Sequence, residues 1–333
     1  MGTYGGIDLG GTKIQAVIAD ESNSVLGAAR RPTPTNGGPQ DVANEMAGAL
    51  REAAASASID VKGLSGIGVG SPGEVQGGNV TSARNLPGWD GTFPLAGTLK
   101  RALGPAVKLG NDVQVATTAE VELGAGRPFR SLLGVFWGTG VGGGVILNRK
   151  PWKGRGGAGE IGHMVVKLDG ARCTCGRRGC IEAYAGRAAM EIHVRKLVKK
   201  GRRTDLIELM EKHGRTRLTS GIWARALEAG DKLAEEMIER AIEALGAGIA
   251  SAVNLLEVEA VIIGGGLGVR LGAPYVERIE TAMAPHLFQD GKPPHVEVAA
   301  LGDLGGALGA SLLLGRSKPA RAARPRVRAA ATS

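Results

Sequence analysis

Tyr4-Gly5-Gly6-Ile7-Asp8-Leu9-Gly10-Gly11-Thr12-Lys13-Ile14-Gln15-Ala16-Val17-Ile18-Ala19 is the stretch on which the fold turns. Tyr4 to Leu9 reads as a strand, Gly10 to Lys13 as a turn and Ile14 to Ala19 as a returning strand, with 25–30 adding a third. The plan recurs far downstream. Residues 132–137 read as a strand, Gly138-Thr139-Gly140-Val141-Gly142-Gly143-Gly144 as a turn, and Val145-Ile146-Leu147 as the return. A hairpin of glycines and threonine exposes backbone N–H groups to a phosphate with no Cβ in the way. One such hairpin could simply be a turn; two in equivalent positions of two half-chains point to phosphate binding. A third cluster, Gly264-Gly265-Gly266, follows the apolar run Ala260-Val261-Ile262-Ile263 and precedes a helical stretch. It would let a flat adenosine moiety lie close against the backbone.

Two familiar nucleotide motifs are excluded. Gly138-x-Gly140-x-x-Gly143 fits the dinucleotide-binding spacing, but it leads into a β-type run where that motif requires a helix. Gly10-Gly11-Thr12-Lys13 lacks the Gly-Lys-Ser/Thr order of a P-loop. Helical patterns follow each hairpin: one capped by Asp41 and running to Ala54, then 113–123, 183–199 and 231–256. Asn111-Asp112 closes a strand ahead of the second of these. Asp112 there reads equally as a helix N-cap or as a carboxylate at a strand's carboxyl end, able to accept a hydroxyl proton.

All three cysteines lie in Cys173-Thr174-Cys175-Gly176-Arg177-Arg178-Gly179-Cys180-Ile181-Glu182, and Glu160-Ile161-Gly162-His163 stands just upstream. Thiolates with one imidazole form a common zinc donor set. His163, Cys173, Cys175 and Cys180 therefore read as a structural Cys3His site. The alternative is three reduced thiols in a basic loop. The C-x-C spacing is tighter than that of a nucleic-acid finger. A metal here would fix the neighbouring carboxylates Glu160 and Glu182 in one pocket.

The 333 residues carry 43% apolar and only 3% aromatic side chains, with 55 glycines, which suits α/β packing in two lobes. Few, clustered cysteines point to a reducing compartment. No signal peptide or apolar run of about 18 residues is evident, so a cytoplasmic protein without a membrane span is expected. Six of the charges behind the net +9 sit in the last stretch, at Arg316, Lys318, Arg321, Arg324, Arg326 and Arg328. Residues 316–333 read as a disordered basic tail, and the remainder is not basic enough to argue for nucleic acid.

Taken in order, Asp8 to Lys13, Asn111-Asp112, Gly138 to Gly144, Glu160-x-Gly162-His163, the Cys173–Glu182 loop and Gly264 to Gly266 resemble the ROK family (repressors, open reading frames and kinases). The resemblance spans roughly residues 3–315 and is strongest to bacterial or archaeal-type glucokinases. It implies a two-lobed actin-like ATPase, or ribonuclease-H-like, α/β fold. The small lobe would be 1–115, completed by a helix around 303–315; the large lobe, with the zinc loop, would be 116–302. It implies ATP-dependent phosphorylation of glucose at its 6-hydroxyl, with Asp112 as general base. Glu160, His163, Glu182, Asn111, Gly73 and Asn85 would bind the sugar, and Asp8 would position Mg2+ through water. Gly10, Gly11, Thr12, Lys13, Gly138, Thr139, Gly140, Gly265 and Gly266 would hold the nucleotide, and Zn2+ would be structural. Trp89 could be simple packing. Homodimers or homotetramers are common in the family. Rival readings within it are a kinase for fructose, mannose, N-acetylglucosamine or N-acetylmannosamine, a polyphosphate-using glucokinase, and a non-catalytic sugar sensor. The repressors carry an N-terminal DNA-binding domain, for which the first hairpin leaves no room.

Overall fold

The computed structural model describes residues 2–83, 86–289 and 291–315. The first half runs β1 (Tyr4–Leu9), β2 (Lys13–Ala19), β3 (Val25–Pro32), α1 (Pro39–Ser56) and β4 (Gly66–Ser71). A small ribbon follows, β5 (Glu74–Gln76), β6 (Asn79–Thr81) and β7 (Thr92–Phe93), then α2 (Leu95–Leu103), β8 (Val107–Asn111) and α3 (Asp112–Leu123). The second half opens with β9 (Leu132–Trp137), β10 (Val141–Leu147) and β11 (Lys150–Pro151). Its helices are α4 (Glu182–Ala185), α5 (Arg187–Lys199), α6 (Leu206–Lys212), α7 (Ser220–Glu228) and α8 (Lys232–Leu256). It continues through β12 (Ala260–Gly264), α9 (Gly265–Leu271), α10 (Ala273–Met283), β13 (His295–Val298) and α11 (Gly305–Leu312).

The two large sheets repeat one topology. Their orders are β3-β2-β1-β4-β8 and β11-β10-β9-β12-β13. In each, an antiparallel hairpin is extended by two parallel strands on the side of its first strand. Parallel strands need helical crossovers, and those crossovers bury the sheet faces. Ile7, Leu9, Ile14, Met46, Leu50, Ile67 and Leu99 form the core of the first half. Val135, Trp137, Trp223, Ile242, Leu245, Ile249 and Ile263 belong to that of the second. This is the doubled α/β architecture expected of an actin-like fold.

Local chemistry sets the helix ends. Asp231 caps α8 by accepting from the Ala234 N–H at 2.7 Å, and apolar side chains at 233, 237, 238, 241, 242, 245 and 249 keep one face buried. Asp41 is not the N-cap of α1. Pro39 opens that helix, and the Asp41 carboxylate reaches back to the Gly38 N–H at 2.9 Å. The helix expected over 183–199 is broken at Gly186. There the N–H groups of Arg187 and Ala188 turn to the carbonyls of Gly138 and Thr139, at 3.2 and 3.0 Å. The second turn is also shorter than the glycine run suggests. Val141 already pairs with Trp137, so only Gly138, Thr139 and Gly140 remain outside the ladder. Trp89 is a packing residue, almost fully buried with its indole N–H on the Val80 carbonyl.

α11 returns from the far end of the chain to lie on β1 and β4. A Cβ at Gly6 would overlap the carbonyl oxygen of Ala307, and one at Gly68 would overlap that of Ala310. Only hydrogen at both positions lets the helix backbone come this close. α3 lies between this helix and the second sheet. Its Gln114 pairs with both peptide groups of Val145 in β10, at 3.4 and 3.3 Å. Its buried Glu120 accepts from Ala125, Ala300 and Leu301, at 2.9, 3.1 and 2.9 Å. Glu120 thereby ties the two connections that lead out of and back to the first half. No helix among the described residues is long and apolar enough to cross a membrane.

Candidate active site

The hairpins, the head of α3 and the cysteine loop converge. Asp8, next to last in β1, lies opposite Gly70 of β4, and Asn111, last in β8, lies opposite Ser71 of the same strand. The carboxyl ends of these parallel strands thus bring Asp8 and Asp112 to one edge. The Asp8 carboxylate packs against Gly306, in the first turn of α11. Burial pushes its pKa up to about 6, with Lys13 pulling down and Asp303 pushing up. Asp112 is pushed up to about 7, first by burial, then by the charges of Asp8 and Glu160. Its Oδ1 accepts from the Val113 N–H at 2.9 Å, which opposes the rise. A carboxyl held near neutrality beside two others is poised to exchange a proton.

Of the two sequence readings of Asn111-Asp112, the cap falls on Asn111. Asn111 is the N-cap of α3, its Oδ1 accepting from Gln114 N–H at 3.1 Å. Asp112 is then the first helical residue and need not cap.

In the first hairpin, Gly10 N–H donates to the Lys13 carbonyl at 3.0 Å, and Thr33 Oγ1 donates to the Gly10 carbonyl at 2.6 Å. Gly11 and Thr12 form the tip, Thr12 being exposed. Lys13 Nζ reaches Asp303, just ahead of α11, at 2.9 Å. In the second hairpin, Gly138 N–H closes on the Gly140 carbonyl at 2.9 Å. Gly265 adopts φ +81 against the Trp137 backbone, and Gly266 N lies 3.7 Å from where a Gly138 Cβ would be. The third glycine cluster therefore abuts the second hairpin.

His163, Cys173, Cys175 and Cys180 bring one donor atom each within 4.8 Å of one another. Cys175 and Cys180 Sγ are 3.8 Å apart, as are Cys173 Sγ and His163 Nδ1. Four donors about 2.0–2.3 Å from one ion at tetrahedral angles would stand about 3.5–3.8 Å apart. The set can hold a metal. Burial pushes the Cys180 thiol up to about 12, and the two other sulfurs add to it; a cation at the centre would reverse that. On the other side of the ring, His163 Nε2 faces Glu160 Oε2 at 4.0 Å. Glu182 Oε1 accepts from Thr174 Oγ1 at 3.3 Å, and its Oε2 accepts from Val141 N–H at 3.0 Å. Gly73 turns the chain between β4 and β5 with φ +83. Asn85 lies outside the described residues, as do residues 316–333.

Gln114 and Asp303 were not singled out from the sequence. Each acts through a contact with a distant segment, and neither belongs to a compact motif.

A sequence profile described as "ROK family" matches residues 4–317. A glucokinase of Thermotoga maritima is 32% identical over 289 residues, covering 84% of this chain and 88% of that protein. An N-acetyl-D-glucosamine kinase of Salmonella paratyphi A is 30% identical over 326 residues, covering 93% of this chain and 98% of that one. Among solved structures, a ROK family glucokinase from Streptomyces griseus in complex with glucose and AMPPNP superposes with a TM-score of 0.81 at 29% identity. That match covers 94% of this chain and 99% of the other.

Proposed function

This chain belongs to the ROK family, and we propose that it is a sugar kinase that transfers the γ-phosphoryl group of ATP to the 6-hydroxyl of glucose. The observation that carries the reading is Asp112: a carboxyl with a pKa near 7 at the head of α3, neighboured by Asp8 and Glu160. Asp112 would take the proton of the sugar hydroxyl as its oxygen bonds to the γ-phosphorus. The bond from phosphorus to the β–γ bridging oxygen breaks, and ADP departs with that electron pair. General-base assistance of this kind is worth about 10²–10⁴ in rate, and the rest must come from positioning and charge.

Each neighbouring residue has a task in this reading. Glu160, His163, Glu182 and Asn111, with Gly73 and Asn85 at the border, would orient the sugar through its ring hydroxyls. Gly10, Gly11, Thr12 and Lys13 from one hairpin, and Gly138, Thr139 and Gly140 from the other, would hold the phosphates. Gly265 and Gly266 would receive the adenosine. Mg2+, held near Asp8 through water, would offset phosphate charge. Zn2+ on His163, Cys173, Cys175 and Cys180 would lock the imidazole's tautomer, leaving Nε2 fixed toward the substrate. Residues 1–115 with 303–315 would form the smaller lobe and 116–302 the larger, in a cytoplasmic enzyme that works as a homodimer or homotetramer.

The Salmonella relative favours one second reading, N-acetylglucosamine as acceptor. Coupled ADP release with Mg·ATP across hexoses and amino sugars decides between them. Glucose turnover that vanishes in Asp112→Ala is expected. Preference for N-acetylglucosamine would change the acceptor and keep the mechanism. Turnover retained in Asp112→Ala would sink the assignment of the base.

A further inference from the structure

Arg187 opens α5 directly behind the second hairpin, and its guanidinium is built into that hairpin. Nη2 donates to Thr139 Oγ1 at 2.7 Å, and Nη1 donates to the Leu218 carbonyl at 3.1 Å. Nε is buried and has no hydrogen-bond partner among the described residues. No carboxylate among them forms an ion pair with Arg187. Glu191, whose charge reaches it, is already engaged by Arg195 Nη2 at 2.8 Å, Arg217 Nε at 3.0 Å and Leu218 N–H at 3.1 Å. A half-buried cation without a counter-ion is costly unless an anion completes it.

The chemistry of the pair gives the direction. A guanidinium has donors and no acceptor. Thr139 Oγ1 must therefore accept from Arg187, and its own hydroxyl hydrogen is left to donate elsewhere. The adjacent positive charge makes that hydroxyl a stronger donor. The carbonyls of Gly138 and Thr139 are bonded to the N–H groups of Arg187 and Ala188, so α5 also draws the acceptors of the hairpin to one side. What remains toward an incoming group is donors. Arg187 also holds Leu218, and Ser220, two residues on, is the first residue of α7 and brings its Oγ near Gly266. The same side chain thus joins the phosphate hairpin to the segment beside the third glycine cluster.

We propose that Arg187 is a positioning residue for the phosphoryl donor: it fixes Thr139 as a hydrogen-bond donor to a phosphate oxygen and supplies the uncompensated charge that draws the phosphate chain to this hairpin. The inference rests on the kinase reading above and adds to it the residue that sets nucleotide affinity from behind the second hairpin. It also separates the two substrates, because the Arg187 guanidinium bonds to Thr139 and Leu218 and, among the described residues, makes no hydrogen bond or ion pair with Glu160, His163, Glu182 or Asn111, which are assigned to the sugar, or with Asp112.

The test uses the full chain with Mg·AMPPNP and glucose as probes, by calorimetry and by steady-state kinetics. Arg187→Met should raise the dissociation constant for Mg·AMPPNP and the KM for ATP by about 10–100-fold, the range for loss of a charge-assisted hydrogen bond. The KM for glucose should move less than about twofold, a split that a purely structural role would not produce. Arg187→Lys, which keeps the charge and loses the fork, should recover part of the affinity. Thr139→Val should weaken nucleotide binding in the wild-type background and add little on top of Arg187→Met.

Wild-type nucleotide affinity in Arg187→Met would overturn the proposal, as would equal loss of both substrates with a lowered Tm. So would additive effects of Arg187→Met and Thr139→Val. A wild-type protein that binds AMPPNP and phosphorylates no sugar would retire the reaction, while the affinity ratios would still support Arg187. A wild-type protein that binds no nucleotide would overturn both.

Discussion

Glu182 Oε2 accepts the amide hydrogen of Val141 at 3.0 Å, so a side chain two residues beyond Cys180 holds the first residue of β10, at the end of the second hairpin. Its other oxygen stays with the cysteine loop through Thr174. The Cys3His cluster and the second hairpin are therefore one mechanical unit. Stripping any metal held by this cluster with a chelator, or Cys175→Ala, should raise the KM for ATP as well as that for glucose. A rise confined to the sugar would show that Glu182 does not couple the two. Metal content by mass spectrometry under native conditions, read beside both KM values, makes the comparison.

Replacing Asp112 separates catalysis from stability. Asp112→Asn keeps the volume and removes the base, and should lower kcat by about 10²–10⁴ while glucose still binds, measured by calorimetry. The same change should raise Tm at pH 8. A carboxyl raised to about 7 in the folded state favours folding fully below its unfolded-state value, and loses that contribution as pH rises through 7. Asparagine never ionises, so the Tm gain should shrink as pH falls below 7 and vanish only below the unfolded-state value of 3.8. A Tm gain that is independent of pH would point to packing and not to the buried charge.

The pH profile tests the neighbours. A general base must be ionised, so kcat/KM should fall on the acid side with a midpoint near 7. Of the two charges that raise this value, Glu160 can be removed without touching the nucleotide hairpins. Glu160→Gln should move the acid limb to lower pH, whatever it does to the maximum rate. A limb that stays in place or moves upward would mean that Glu160 does not act on Asp112 through its charge.

Much of this was legible in local sequence. The hairpins, the cysteine loop and the Asn111-Asp112 strand end are compact signals, each carried by residues near one another in the chain. Other features needed distant partners. Nothing around Gly186 announces a helix break, because the carbonyls that draw off the next two N–H groups belong to Gly138 and Thr139. Gln114 reads as an ordinary helical residue until Val145 is seen beside it. Asp303 reads as a loop carboxylate until Lys13 closes on it at 2.9 Å. Asp41 stands three positions past the true cap, Gly38, for a subtler reason: Pro39 is itself a favoured first helical residue, and an acidic side chain at the third position can reach back.

The close approach of α11 gives a stability prediction. Gly68→Ala places a methyl group on the Ala310 carbonyl oxygen, and backbone cannot move aside as a side chain can. Such overpacking should cost about 3 kcal/mol, read from urea unfolding of the full chain. A loss below about 0.5 kcal/mol, within the range of ordinary surface changes, would mean that α11 can lift from the sheet at little cost.

That same helix imposes an order on biosynthesis. The sheet of β3, β2, β1, β4 and β8 is complete in sequence by residue 111, yet the helix that covers Gly6 and Gly68 is made of residues 305–312. On the ribosome the early sheet must wait, with that face bare, through the synthesis of nearly two hundred further residues. Chains tend to fold as units from the N-terminus during translation, and exposed apolar surface in such intermediates invites aggregation. The face of the early sheet at Gly6 and Gly68 is thus the last part of the first half to be covered, and until α11 arrives it is the surface most open to wrong contacts.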